Sequence, residues 1–273
     1  VRIRLFQVDA FTNRRFHGNP AAVCPLEEWL DDSVLQSIAA ENNLPETAFV
    51  VAAEGLSQEP EVSEYELRWF TPTCEVELCG HATLASAFVL YEHLGAVTKK
   101  LRFAIRTGDV LTVARRGRSL CMDFPAQPCR RAEMTDKLLV GLGLRPSEVW
   151  RNASHDVAIF DTPTQIRDLR PDFPSLAELA PRATIVTALD DRSQDGDFVS
   201  RFFAPAFGID EDPVTGSAHC TLAPLWGAKL GKTRLHGRQI SQRGGDVYCT
   251  VRGDRVELSG ECASYSTGTI NLD

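Results

Sequence analysis

Apolar and polar positions follow one another in the same succession twice along this chain. Each half opens on a strand-like apolar run, which residues 20–24 and 156–160 represent. A helical stretch follows over residues 26–42, with a shorter counterpart at 175–179. Strands rich in β-branched and aromatic residues are predicted at 47–53 and 66–70, and again at 184–188 and 197–204. A Pro-containing loop then leads into a second helix, at 82–94 and at 218–230, stopped by Gly95 and Gly231. These two helices carry Leu and Ala on nearly every face and few charges, so they read as core helices wrapped by sheet. Strands return at 101–105, 110–115 and 119–124, against 247–251 and 255–258, with turn chemistry at Gly117 and Gly253.

The residues repeat as well as the pattern. Pro20-Ala-Ala-Val-Cys24 parallels Asp156-Val-Ala-Ile-Phe160, and Arg68-Trp-Phe-Thr-Pro72 parallels Arg201-Phe-Phe-Ala-Pro205. Gly80-His-Ala-Thr-Leu-Ala parallels Gly216-Ser-Ala-His-Cys-Thr-Leu-Ala, and Gly108-Asp-Val parallels Gly245-Asp-Val. The four offsets lie between 133 and 137 residues and keep one order, which chance does not explain. The expected fold is α+β, with two pseudosymmetric halves, each a barrel-like mixed β-sheet around a central α-helix. The halves are expected at 1–125 and 126–273, the boundary falling where strand pattern gives way to a polar helix. The last strand has the option of packing back on the first half. Two similar halves facing each other would leave a cleft, a common place for a small ligand.

Composition narrows the function. With 273 residues, 43% of them hydrophobic, the chain has ample core and needs no staple. A net charge of −8 with no basic face argues against nucleic acid as a partner. The eight cysteines have neither CxxC nor framework spacing, so reduced, mostly buried thiols in a cytoplasmic protein are expected. No apolar run approaches the ~20 residues that span a bilayer, and the amino-terminal residues do not read as a signal peptide.

The candidate chemistry gathers at the two helix starts. Gly80 and Gly216 each precede a core helix, whose first N–H groups and positive dipole end favour an anion, a carboxylate above all. His81 and Ser217 occupy equivalent places after these glycines. Asp212 lies just before the second helix, where a carboxylate would cap it. Glu46 opens a strand and breaks the repeat, because Ala183 is its counterpart. Read singly, such a Glu is a solvated residue and such a His a capping or packing one. Cys79 and Thr215 occupy matching positions in the repeat, and Cys79 by itself reads as a small core thiol. Cys74, Cys79 and His81 lack a fourth ligand at sensible spacing, so no metal site is expected there.

The segments Asp9-Ala-Phe-Thr, Phe16-His-Gly-Asn-Pro-Ala-Ala-Val23, Leu44-Pro-Glu-Thr-Ala-Phe49, Trp69-Phe-Thr-Pro72, Leu78-Cys-Gly-His-Ala-Thr-Leu-Ala85 and Glu211-Asp-Pro-Val-Thr-Gly-Ser-Ala218 together resemble the PhzF-like family, named for phenazine biosynthesis. That family is similar in fold to diaminopimelate epimerase. The resemblance implies a cofactor-independent isomerase acting on a small carboxylate-bearing substrate. It implies Glu46 as the acid/base, with His81, Asp212 and Ser217 as polar partners. Asn19, Gly80, Ala82, Thr215, Gly216 and Ala218 are the implied substrate-binding positions, and a homodimer the implied assembly. Partial burial would raise the Glu46 pKa and suit it to exchange a proton. Two other readings stand beside this one: a non-catalytic ligand-binding or regulatory protein, and an epimerase or dehydratase using Cys79 and Thr215.

Overall fold

The computed structural model describes residues 1–53, 61–190 and 196–272. Two compact units emerge, Val1–Asp123 joined by Ser259–Asp273, and Phe124–Leu258.

The first unit contains β1 (Arg2–Ala10), β2 (Asn19–Leu26), α1 (Asp32–Asn42), β3 (Glu46–Ala52), β4 (Val62–Phe70), β5 (Glu75–Val76), α2 (Gly80–Glu92), β6 (Lys100–Ala104), β7 (Val110–Arg116) and β8 (Ser119–Pro125). Along its ladder the pairing alternates: β1 with β2 antiparallel, β2 with β3 parallel, β3 with β4 antiparallel, β4 with β6 parallel and β6 with β7 antiparallel. The second unit contains β9 (Arg130–Ala132), α3 (Asp136–Leu142), β10 (Glu148–Arg151), β11 (His155–Ile159), α4 (Pro163–Asp168), α5 (Phe173–Ala177), β12 (Ala183–Leu189), β13 (Phe198–Ala204), β14 (Ile209–Asp212), α6 (Gly216–Leu230), β15 (Arg234–Gln239), β16 (Gly245–Arg252) and β17 (Arg255–Gly260). Its ladder repeats the alternation through β10, β11, β12, β13, β15 and β16. The final strand, β18 (Cys262–Asn271), pairs antiparallel with β1.

The repeat extends to side-chain chemistry. Arg68 clamps Glu75 through Nε and Nη2 at 2.8 and 2.9 Å and lies over the Phe70 ring. Arg201 clamps Glu211 in the same two-pronged way at 2.7 and 2.8 Å and lies over Phe203. Each planar guanidinium ties the strand leading into the core helix to the short strand beside it. The core helices behave alike. Thr83 donates to the carbonyl of Cys79 at 2.6 Å, and His219 meets that of Thr215 through Nδ1 at 2.8 Å. A polar side chain inside an apolar helix thus bonds its own preceding turn, although Nε2 of His219 is buried without a hydrogen-bond partner among the described residues. Burial drives the pKa of His219 down to about 4, so the ring is neutral. His219 therefore belongs to the core.

Several boundaries differ from expectation for identifiable reasons. Residues 26–30 are not helical: Leu26 completes the pairing of β2 with Val51, and α1 starts only at Asp32. The polar helix expected after residue 125 is preceded by β9, which pairs with β10, and α3 follows behind its Thr135 cap. The ladder pairs Ala22 with Thr47 and Asp156 with Thr184, so Ala22 and Asp156 are equivalent. The alignment of Pro20 with Asp156 is therefore two residues out of register, a shift that keeps each side chain on its own face. The apolar pattern does not predict strand β15, because its buried positions are Leu235, Gly237 and Gln239 rather than an apolar series. Five of the eight cysteines are buried and only Cys74 is exposed, all as free thiols. No helix among the described residues is long and apolar enough to cross a membrane.

Candidate active site

Strands β2 and β3 run parallel, so their first residues lie at one end of the sheet. Those residues are Asn19 and Glu46. Glu46 is delivered by a sharp reversal: Asn43 ends α1 in the left-handed region at φ 49°, and Pro45 disfavours helical backbone at Leu44 just before β3. Helix α2 begins at the same end. Its N-cap, Cys79, has extended backbone and makes no side-chain cap bond.

These elements bring four polar side chains together, all nearly or fully buried: Asn19, Glu46, Cys79 and His81. His81 is threaded between them. Its Nε2 lies 3.0 Å from Glu46 Oε2, while Nδ1 lies 3.2 Å from Asn19 Nδ2 and 3.4 Å from Cys79 Sγ. The contact with Glu46 is close, but the N–H does not point along it, so the attraction is chiefly coulombic. Gly80 leaves open space beside His81, since a Cβ there would meet nothing nearer than Met122 Cε at 4.0 Å. Ala82 is fully buried behind it.

The electrostatics reverse one expectation. Burial pushes the Glu46 carboxyl up, but the charge on His81 leads the opposing effects of His81 and Cys79, and the net shift is downward. For His81 burial pushes down, yet Cys79 and Glu46 together raise it well above the ordinary value. Burial first, and the Glu46 charge second, raise the Cys79 thiol, so it stays protonated and the carboxylate is the counter-ion of the ring. The shifts of Glu46 and His81 both run in the direction of a carboxylate facing an imidazolium. The pH dependence of the pair follows from these directions. The lowered Glu46 contributes fully above its ordinary 4.5, and that contribution is lost as pH falls through its folded pKa. The raised His81 contributes fully below its ordinary 6.5, and that contribution is lost as pH rises through its folded pKa.

Oxygen, sulfur and nitrogen donors of Glu46, Cys79 and His81 lie within 4.8 Å of one another, a set chemically suited to zinc. Glu46 and Cys79 approach opposite nitrogens of the ring, however, so one ion would have to displace the existing pair. Cys74, a neighbour of these residues in sequence, is exposed in a turn that bonds Thr71.

In the second unit, the start of α6 gathers Asp212, Thr215, Gly216, Ser217 and Ala218. The Thr215 hydroxyl donates to Asp212 Oδ2 in a short bond, and Thr215 makes no side-chain cap bond to the helix. Asp212 is half-buried, Ser217 exposed, and Gly216 and Ala218 buried. Gln239, which no sequence motif singles out, is buried and bonds both Thr215 and Asp212. Alternation would have placed it inward, since Leu235 and Gly237 share its face of β15.

Known proteins share this fold and much of this sequence. A profile of the phenazine biosynthesis-like protein family matches residues 8–268. An uncharacterized isomerase of Pseudomonas aeruginosa is 52% identical over 272 residues, spanning 100% of both chains. A phenazine biosynthesis-like domain-containing protein of Bos taurus is 37% identical over 287 residues, 99% of each. The crystal structure of a PhzF-family protein from Enterococcus faecalis superposes with a TM-score of 0.91 at 39% identity, covering 100% of each chain. Matches of this length and identity establish kinship over the whole chain: the protein belongs to the PhzF (phenazine biosynthesis-like) family of isomerases, with the fold of the diaminopimelate epimerases.

Proposed function

We propose that this chain isomerises a small carboxylate-bearing substrate by moving one proton, with Glu46 taking it up and giving it back. The observation that carries this reading is the buried carboxylate of Glu46 held 3.0 Å from the ring of His81 beside a helix start. A base kept ionised needs no prior deprotonation step. When Glu46 accepts a proton from substrate carbon, the C–H electron pair spreads into the conjugated acid and its carboxylate. His81 then lacks its counter-ion inside the protein, which disfavours holding the proton and drives its return to a different carbon. The developing negative charge is met by N–H groups at the helix starts, behind Gly80 and Gly216, and by the Ser217 hydroxyl, with Asp212 as a polar partner that helps to hold the substrate. This reading takes both helix starts to act on one substrate. A single base working on one face gives a shift isomerisation. Cys79 suits base chemistry poorly, because burial keeps its thiol protonated. The chemistry asks for no nucleotide, pyridoxal phosphate or metal.

The test is a panel of small β,γ-unsaturated, cyclic and α-substituted acids incubated with the enzyme in D2O and followed by proton NMR. The expected result is one solvent deuterium gained with migration of the double bond, unchanged by EDTA. Binding of such acids without exchange would instead identify a ligand-binding protein. Exchange with inversion at the α-carbon would favour the pair Cys79 and Thr215.

A further inference from the structure

We propose that Gln239 is a positioning residue, whose amide sets the geometry of residues 212–215 and so of the α6 start. Gln239 is 1% exposed and lies in the last rung of β15, paired through the backbone with Ser200 on one side and Gly245 on the other. Its backbone is thereby fixed from both sides, and the side chain alone reaches the loop. Oε1 accepts the Thr215 N–H at 2.9 Å, while Nε2 donates to the Asp212 carbonyl at 2.6 Å and to the Thr215 hydroxyl at 3.3 Å. Only a side chain with acceptor and donors on one planar group can make all three contacts.

The Thr215 hydroxyl, so held, donates in turn to the Asp212 carboxylate. The turn beyond β15 reinforces the loop, for Ser241 donates to the Pro213 carbonyl at 2.7 Å and accepts the Gly244 N–H at 3.1 Å. Among the described residues the first unit has no such device. Arg68 and Arg201 are equivalent, which makes Leu67 the counterpart of Ser200 and Ile105 that of Gln239. The amide thus appears only where Asp212 and Thr215 appear. With the Thr215 hydroxyl committed to Asp212, the N-cap side chain makes no bond to the first N–H groups of α6. Gln239 thereby keeps the helix start available to a substrate carboxylate, a role that rests on the function proposed above.

The experiment uses the full chain, isotopically labelled, with Gln239→Leu and Gln239→Glu as variants and malonate as probe. Amide exchange at Thr215 reads the hydrogen bond, and malonate-induced shifts at Gly216 and Ser217 read the seat. Gln239→Leu is expected to speed Thr215 exchange and weaken malonate, each about ten-fold, because a buried N–H and carbonyl lose their partner. Gln239→Glu keeps an acceptor for Thr215 but has no donor for the Asp212 carbonyl. It should leave Thr215 protected while weakening malonate as Leu does, a split that general loss of stability would not produce. Should the Leu variant fail to fold, the Glu variant carries the test alone. Malonate affinity unchanged in the Glu variant would overturn the proposal. Should wild-type Gly216 and Ser217 not respond to malonate, the anion seat of the proposed function fails, and Thr215 exchange together with Asp212 shifts still decides whether Gln239 holds the loop.

Discussion

Replacing Glu46 by Gln is expected to abolish solvent exchange into any acid that the wild-type enzyme labels, with a loss of about a thousand-fold, the usual worth of a general acid/base. The substitution is nearly isosteric, so the buried site keeps its volume. The amide cannot take a proton, and its lack of charge removes the counter-ion of His81. Burial then acts on the ring with less opposition, and the imidazole reverts toward its neutral form, so no unpaired charge is left inside the protein. The fold should therefore survive, as circular dichroism would verify. Glu46→Asp makes the complementary case. It keeps the charge but withdraws the carboxylate by one methylene, and a displacement of about 1 Å costs roughly a hundred-fold. The order wild type, Asp, Gln in exchange rate is the expected signature. A Gln variant that retained a substantial part of the activity would remove Glu46 from the chemistry.

Gly18→Ala is expected to be the most damaging change of a single small residue. Gly18 adopts φ +66°, in the left-handed region, and a Cβ there would sit 2.2 Å from the Ala10 carbonyl oxygen and 2.7 Å from Thr12 Cγ2. Backbone cannot yield as a flexible side chain does. Strain and forced displacement together should cost on the order of 3 kcal/mol in urea unfolding. The adjacent residue is Asn19, the first of β2 and a direct neighbour of His81. The damage should therefore reach catalysis as well as stability. A variant as stable and as active as wild type would show that the β1–β2 connection tolerates movement and does not hold Asn19 in place.

The duplicated architecture was legible in the sequence because the core helices and the arginine-bearing strands kept both residue types and spacing. Arg68 and Arg201 turn out to make the same clamp on Glu75 and Glu211, a pairing invisible without the short strands that carry the two acids. The sequence singles out Glu46 by its family motif and by the break in symmetry against Ala183, and the structure sets it beside His81. Its direction of pKa shift was not legible, because burial and pairing act oppositely and only the distance to His81 decides between them. Cys79 read as core packing, and it is buried, but its contact with His81 depends on how the N-cap turns. Gln239 escaped notice because a lone polar residue in an otherwise weak strand pattern gives no sign of what it faces. Position along the chain reveals which residues matter more readily than which partners they find.

The most direct test of the charged pair at the start of α2 is a titration of the His81 ring nitrogens by 15N NMR, in wild type and in Glu46→Gln. An imidazolium is expected in the wild type at neutral pH, titrating well above 6.5, with a lowered pKa in the variant. A wild-type ring already neutral at pH 7, or a titration that the loss of Glu46 leaves unmoved, would contradict the pairing of carboxylate and imidazolium.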